Sequence, residues 1–405
     1  MIIAAVREVR LLLVGRGLRA FVDGYVAVLL PAYLLALGYG TWQVGLLSTA
    51  TLLGSALATL ALGAWGHRAS PRLLLLGAAV LMTATGLGFA GLSTFWPLLV
   101  VAFVGTLNPS AGDVSVFLPL EHSRLSLAAE GDARTRLFAR YSLTGALCAA
   151  VGALAAAVPD ALTGLGVDRL TALRGMFVAY SGVGALLCVL YARLPQRAPE
   201  HAVAPAPLGP SRGTVVKLAA LFSVDAFAGG LVVNSLLALW LFQRFGLSLT
   251  AAGAFFFWAG MLTALSQLAA PWVARRIGLL NTMVFTHAPS SLFLIFAAFA
   301  PNLGLALTFL LLRALLSQMD VPTRSAYVMA VVTPAERAAA ASFTAVPRSL
   351  AAALSPTLGG ALFATGFLAA PLVACGCLKI AYDLALWRVF RQHPGAFVVS
   401  KTDTK

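Results

Sequence analysis

Between Gly24 and His67 the chain carries no Asp, Glu, Lys or Arg, and a second charge-free run extends from Leu73 to Gly112. A helix of about 20 apolar residues crosses the hydrocarbon core of a bilayer. Each run is therefore long enough for two crossings, and each holds a turn where the chain can reverse: GYGTWQ at 38–43 and GLSTFWP at 91–97. Composition agrees. With 60% hydrophobic and 10% charged residues and a mean hydropathy of +0.91, the chain has too few polar side chains to coat a soluble globule.

Charge returns from Asp113 to Arg140, after which Tyr141–Pro159 and Gly175–Ala192 read as spans five and six. A polar stretch rich in Pro and Ala follows at 194–213, LPQRAPEHAVAPAPLGPSRG, which reads as a linker. Six further apolar segments lie near 215–242, 249–272, 279–300, 303–328, 338–364 and 367–390. The expected architecture is an all-α membrane protein of twelve spans. It comprises an N-terminal six-helix half (1–193), a linker (194–213), a C-terminal six-helix half (214–391) and a tail (392–405). Lys and Arg collect after the even-numbered spans, at Arg68, Arg72, Arg124, Arg134, Arg136, Arg193, Arg197, Arg212, Lys217, Arg275 and Arg276. Positive loops stay in the cytoplasm, so both termini are expected there.

The two halves repeat one another. Asp23 returns as Asp225, 202 residues later, while Trp65, Arg68 and Asp113 return as Trp272, Arg275 and Asp320, each offset by 207. Two copies in the same direction predict parallel repeats related by an axis along the membrane normal, with a cavity at their interface.

The same residues exclude other classes. The net charge of +14 is scattered at span ends and forms no basic stripe with interleaved aromatics, so no nucleic-acid partner is expected. Cys148, Cys188, Cys375 and Cys377 show neither CxxC nor zinc spacing, and no metal site or cofactor is indicated. Arg7, Glu8 and Arg10 interrupt the first apolar stretch, which reads as part of the protein and not as a removable signal. No P-loop or paired catalytic motif appears, so the chain reads as no enzyme, and uphill work would draw on a gradient.

Twelve spans, a central linker and parallel six-span halves resemble the major facilitator superfamily, along essentially the whole chain. That family's loop after span two reads G-x-x-x-D-R-x-G-R-R. Here 63–72 is GAWGHRASPR, which keeps Gly63, Arg68 and Arg72 and puts His67 in the acid's place. The copy after span eight, ARRIG at 274–278, puts Arg275 there. SPTLGG at 355–360 is similar to the glycine-proline signature of antiporters, displaced from span five to span eleven. The resemblance implies that spans one, four, seven and ten line the cavity and that the protein is nearest in character to proton-coupled drug and metabolite exporters.

Asp23, Asp113, Asp225 and Asp320 fall in those four spans. An ionisable group near the bilayer centre costs about 2.5 to 3.5 kcal/mol on insertion scales, so these acids should face protein or a wet cavity. They are the candidates for proton coupling, with Asp23 and Asp225 expected across the cavity from each other. Arg313, Asp320 and Arg324, spaced by seven and four, share one face of span ten, and Arg348 lies on span eleven. Together with Tyr25, Asn108, Asn234 and Gln318 these arginines are the candidate substrate or gate residues. Lys379 and Asp383, four apart, read as an intrahelical pair, and His287 as a hydrogen-bonded packing histidine. The function expected is secondary active, proton-coupled export of a small organic compound by alternating access, in a monomer of the cytoplasmic (inner) membrane whose partners are substrate, protons and lipid. The alternatives are a divalent metal cation exporter, motivated by the four carboxylates, and a non-transporting scaffold or sensor.

Overall fold

The computed structural model describes residues 2–110, 115–128, 131–196, 208–333 and 336–392. Sixteen α-helices lie among them: α1 (Ile2–Ala36), α2 (Thr41–Trp65), α3 (Pro71–Gly91), α4 (Phe95–Val104), α5 (Phe117–Ser126), α6 (Gly131–Leu154), α7 (Val158–Gly164), α8 (Arg169–Ala192), α9 (Arg212–Gly230), α10 (Asn234–Phe245), α11 (Leu249–Ile277), α12 (Leu279–Ala298), α13 (Leu303–Ser317), α14 (Asp320–Val331), α15 (Arg337–Ala364) and α16 (Ala370–Phe390). Ten helical segments of the described residues are long and apolar enough to cross a membrane. α15, with 28 residues, is about 42 Å long at 1.5 Å per residue. The protein is an all-α, multi-spanning membrane fold.

The fourth expected span is the exception. The sequence predicts one continuous crossing; instead α4 and α5, of ten residues each, flank a stretch in which 105–108 carry no helical structure. The reason is local. α4 ends at Gly105, where a side chain would run into the carbonyl of Val101 (2.4 Å) and the hydroxyl of Thr85 (2.5 Å), and Pro109 follows. Irregular backbone at membrane depth persists only where protein satisfies it. Here the Thr106 amide donates to Thr85 Oγ1 (3.3 Å), and the first residues of α10 complete the pairing, with Ser235 N donating to Pro109 O (3.0 Å) and Asn234 Nδ2 to Ser110 O (2.9 Å).

Two other expected spans are interrupted. Pro322 has no N–H for the carbonyl four residues back and its ring crowds that carbonyl. α13 accordingly stops at Ser317 and α14 restarts at Asp320. α9 stops at Gly230 and α10 restarts at Asn234. A side chain at Gly230 would meet the Ser355 hydroxyl at 2.0 Å and the Ala352 carbonyl at 2.5 Å, so glycine lets α15 approach the end of α9.

The chain forms two compact units. One comprises Met1–Ala202, Val233–Phe257 and Pro356–Ala364, so it takes in α10, the start of α11 and the end of α15 along with the first half. Helices here meet through small residues, as expected where lipid is as apolar as leucine and packing alone holds helices together. A Cβ at Gly24 would sit 2.1 Å from the Ala149 carbonyl, and one at Gly152 1.9 Å from that of Phe21, which draws α1 and α6 into backbone contact. Gly45 meets Gly360 in the same way, beside Thr357, whose backbone N–H donates to Thr49 Oγ1 (2.9 Å). Asp160 of α7 caps α11 from outside that helix, accepting from the Thr250 amide (2.9 Å) and hydroxyl (3.0 Å).

The other unit comprises Val203–Val232, Trp258–Ser355 and Thr365–Lys405. An apolar layer fills one end of it, built from Val215, Leu218 and Phe222 of α9, Leu280 and Met283 of α12, Tyr327 and Val328 of α14 and Leu386 and Phe390 of α16. Beside that layer, Glu336 ties the start of α15 to the start of α9. Its carboxylate accepts from Ser211 Oγ (2.6 Å), Thr333 Oγ1 and the amides of Gly209 and Ser211. Those donors, the two hydroxyls first, hold its pKa at about 2, well below its ordinary 4.5.

Candidate functional site

One turn beyond the apolar layer, the second unit buries a continuous chain of ionisable side chains from four helices. Asp225 of α9 stands at its centre. Lys379 Nζ of α16 donates to Asp225 Oδ1 (2.6 Å), and Arg324 Nη1 of α14 donates to Oδ2 (3.1 Å). The same Arg324 nitrogen lies 3.2 Å from Asp320 Oδ2, one helical turn back. His287 of α12 joins from the other side, with Nε2 3.2 Å from Lys379 Nζ and 3.5 Å from Asp225 Oδ1, and Nδ1 3.0 Å from both oxygens of Asp383. The order is Asp320, Arg324, Asp225, Lys379, His287, Asp383. Asp225, His287, Asp320, Arg324 and Asp383 are buried, and Lys379 is partly so.

Helix geometry explains the placement. Asp225 follows Phe222 by one turn, His287 follows Met283 by one turn, Arg324 precedes Val328 by one turn and Asp383 precedes Leu386 by one turn. All four polar groups therefore share the faces whose apolar residues form the layer. Charges on such faces are stable only when paired. Lys379 and Asp383 are thus not the intrahelical pair that their spacing suggested. Each has a partner on another helix, and His287, expected to be a packing residue, joins the two. Asp225, His287 and Asp320 also bring one ligand atom each within 4.8 Å of one another. Both carboxylates already face the Arg324 guanidinium and Asp225 also the Lys379 ammonium, which supply the positive charge that a divalent cation would bring.

The remaining expected residues separate. Asp23 of α1 is partly buried and makes no hydrogen bond or ion pair among the described residues. Asp113 lies outside the described residues. Arg348 of α15 and Arg313 of α13 form no ion pair among the described residues, and Arg348 Nε is buried without a hydrogen bond. Tyr25, expected to line a cavity, is buried and its hydroxyl donates to Met176 O (3.0 Å), tying α1 to α8. Asn108 is buried too, and its Oδ1 accepts from the amide (3.1 Å) and hydroxyl (2.7 Å) of Ser110 within the break of span four. Asn234 opens α10 and serves the same break, while Gln318 ends α13. Around the junction of α2 and α3, Gly63 in the last turn of α2 and Arg68 in the connection are exposed, Arg72 Nη2 in the first turn of α3 donates to Ala192 O at the end of α8, and the side chain of His67 lies outside the described residues.

The first unit holds a polar cluster of its own that the sequence reading missed. Arg19 of α1 donates to Glu121 of α5, which also accepts from the hydroxyls of Tyr141 (α6) and Tyr191 (α8, 2.6 Å). One turn on, Arg124 pairs with Glu8 (2.7 Å) and donates to Pro195 O (2.9 Å). The spacing Glu121 and Arg124 was the available signal, although both residues fell in a charged stretch that read as a loop.

The model of the family described as "Major Facilitator Superfamily" matches residues 12–317. The uncharacterized membrane protein YJR124C of Saccharomyces cerevisiae is 25% identical over 423 residues, covering 95% of this chain and 94% of the relative. Among solved structures, the nucleoside transporter NupG superposes with a TM-score of 0.74 at 16% identity, over 95% of this chain and 99% of that one. A D-xylose-proton symporter superposes at 0.73 and 16% identity, over 96% of this chain and 100% of that one. A match over most of the chain, carried by a fold of interrupted membrane helices with buried charges, identifies the protein as a member of the major facilitator superfamily, a secondary transporter and not an enzyme.

Proposed function

We propose that this chain moves a small organic solute across the membrane by proton-coupled alternating access, with Asp225 as the acid through which the proton gradient acts. One observation carries the reading: Asp225 is buried between Lys379 (2.6 Å) and Arg324 (3.1 Å), in a helix that must otherwise be apolar. A carboxylate so held ties α9 to α14 and α16 while it is charged. A proton that enters these buried charges upsets their balance and loosens the hold of the cations on that carboxylate, so a proton becomes a mechanical event. Asp23, its counterpart in the first half, is the second candidate acid. The architecture that goes with this reading is twelve spans in two parallel repeats with both termini in the cytoplasm.

The direction proposed is export, which rests on the likeness of SPTLGG at 355–360 to the antiporter signature. Symport is the alternative, favoured by the likeness in fold to a D-xylose-proton symporter. A polar solute such as a nucleoside or pentose suits the second reading, and an amphipathic metabolite the first. The test is the purified full chain in liposomes loaded with the pH dye pyranine. Nucleosides, pentoses and small organic acids are presented on either face, with and without an imposed pH gradient. Solute-dependent proton movement that disappears in Asp225→Asn is expected, and its sign separates antiport from symport. Proton movement unchanged in Asp225→Asn, Asp23→Asn and the double variant would overturn the assignment.

A further inference from the structure

The proton-coupled reading leaves open where the proton enters the chain of charges, and the hydrogen-bond pattern around His287 answers this. Its Nδ1 faces both oxygens of Asp383 at 3.0 Å. Carboxylate oxygens only accept, so Nδ1 carries a hydrogen. Its Nε2 lies 3.2 Å from Lys379 Nζ. An ammonium only donates, so in this arrangement Nε2 presents its lone pair. With Asp383 ionised and Lys379 protonated, this pattern is that of a neutral imidazole with its hydrogen on Nδ1, and its Nε2 lone pair is directed at the ion pair of Asp225 and Lys379.

We infer that His287, positioned by Asp383, is the group that accepts the coupling proton, and that its imidazolium displaces Lys379 from Asp225. A hydronium ion of the solvent delivers the proton: one of its O–H bonds breaks, the Nε2–H bond forms on the imidazole lone pair and water is left. The new Nε2–H has no use for an ammonium at 3.2 Å, while Asp225 Oδ1, at 3.5 Å, is an acceptor already in line. Lys379 and the imidazolium therefore compete for one oxygen.

The charges facing His287 determine which one leaves. Lys379, Asp383 and the phenol of Tyr382 face it from α16, Asp225 from α9, and Asp320 with Arg324 from α14. Arg348 of α15 acts electrostatically on Asp225 and Asp320. Arg313 of α13 forms no ion pair with any of these acids. Three carboxylates balance Arg324, Arg348 and Lys379 when the imidazole is neutral, so a proton on His287 leaves one positive charge in excess. An unpaired buried charge is expelled or repaired. Lys379 is the group able to go: 12% of its side chain is exposed against 8% or less for Arg324, Asp320, Asp225, His287 and Asp383, and its four-carbon stem is flexible. Protonation then transfers the hold on α9 from α16 to α12.

This inference rests on the proton-coupled reading but has its own test. The full chain, labelled with nitrogen-15 in histidine and lysine side chains, is placed in lipid nanodiscs and its pH varied without added solute. His287 and Lys379 are identified by the signals lost in His287→Gln and Lys379→Gln. The expected result is a His287 that keeps Nδ1–H throughout and gains Nε2–H in one step, with the Lys379 signal moving in the same step. In His287→Gln the Lys379 signal should lose that step, and in Asp383→Asn the fixed tautomer should give way to a mixture. A Lys379 signal that stays still while His287 gains its proton would overturn the displacement, and a His287 that gains no proton while the chain stays folded would overturn the whole inference. Should His287→Gln fail to fold, Asp383→Asn carries the test. Pyranine liposomes separate the two levels. Solute-dependent proton movement reduced less than twofold in both His287→Gln and Asp383→Asn sinks this inference alone. Its absence in wild type, with the two nitrogen signals moving together, sinks the transport reading alone.

Discussion

Lys379 Nζ rests 2.6 Å from Oδ1 of Asp225, across 154 residues of sequence, and the two helices they join have no other charged tie among the described residues. Removing either partner leaves the other charge buried. Replacing Lys379 by Met is expected to destabilise the protein by about 3 kcal/mol, because stranding one member of a buried pair costs about 3 to 5 kcal/mol and Arg324 still neutralises Asp225 in part. Thermal unfolding in detergent measures this. Lys379→Met combined with Asp225→Leu should recover most of the loss, and a double variant no more stable than the single one would show that the pair is not the cause.

Close helix approach gives a second expectation. Gly24→Val places a side chain where the Ala149 carbonyl stands 2.1 Å away, so α1 and α6 must separate. Overpacking of this kind costs about 1 to 3 kcal/mol or more. Gly77→Ala is the control, since a Cβ at Gly77 meets nothing within 4 Å, and there the better helix former should be neutral or stabilising by up to about 1 kcal/mol. Equal unfolding temperatures for the two variants would contradict this account of the packing.

Glu336 predicts a pH dependence outside the membrane. Its pKa lies at about 2 in the folded chain against an ordinary 4.5. A depressed pKa means stabilisation that is fully present above about 4.5 and is lost as pH falls from there through about 2. Wild type should lose unfolding temperature across that window more steeply than Glu336→Gln. Identical slopes for the two proteins below pH 4.5 would remove Glu336 from the account.

The cap that Asp160 places on α11 is a contact within the first unit between the two sequence halves. Asp160→Ala should lower stability by about 1 kcal/mol, the usual loss for a helix N-cap, and Asp160→Asn by less. Hydrogen exchange at the Thr250 amide reads the effect directly, and should speed up in the alanine variant only.

The all-α, multi-spanning fold was legible in the sequence because lipid demands long apolar stretches, and the short ion pair between Asp320 and Arg324 was legible because a helix brings residues four apart together. The longer pairings were not. Lys379 and Asp383 satisfy the same four-residue rule, yet each finds a partner on another helix, and nothing in a single sequence ranks a partner 154 residues away above one that is four away. Glu121 and Arg124 were misread for a related reason. A charged stretch suggests water, and only the fold reveals that Arg19, Tyr141, Tyr191 and Glu8 wait in the interior to receive those charges. The break after Val104 had its signals in plain view, Gly105, Asn108 and Pro109, but uniform hydropathy across the run concealed them.

That break bears on how the chain is made. α4, ten residues and about 15 Å long, is half the length that lipid requires. The carbonyls of Pro109 and Ser110, in the break that follows it, are met by Ser235 and Asn234, which the ribosome adds more than a hundred residues later. Until then these two carbonyls lack those donors, so the first half of the chain is expected to stay incompletely assembled while the rest is still being synthesised. A chain stopped before Asn234 should remain protease-sensitive near Gly105 and gain protection when a peptide covering α10 is supplied. The seam between the halves is in this sense a checkpoint in biogenesis: the first half is completed only by a piece of the second.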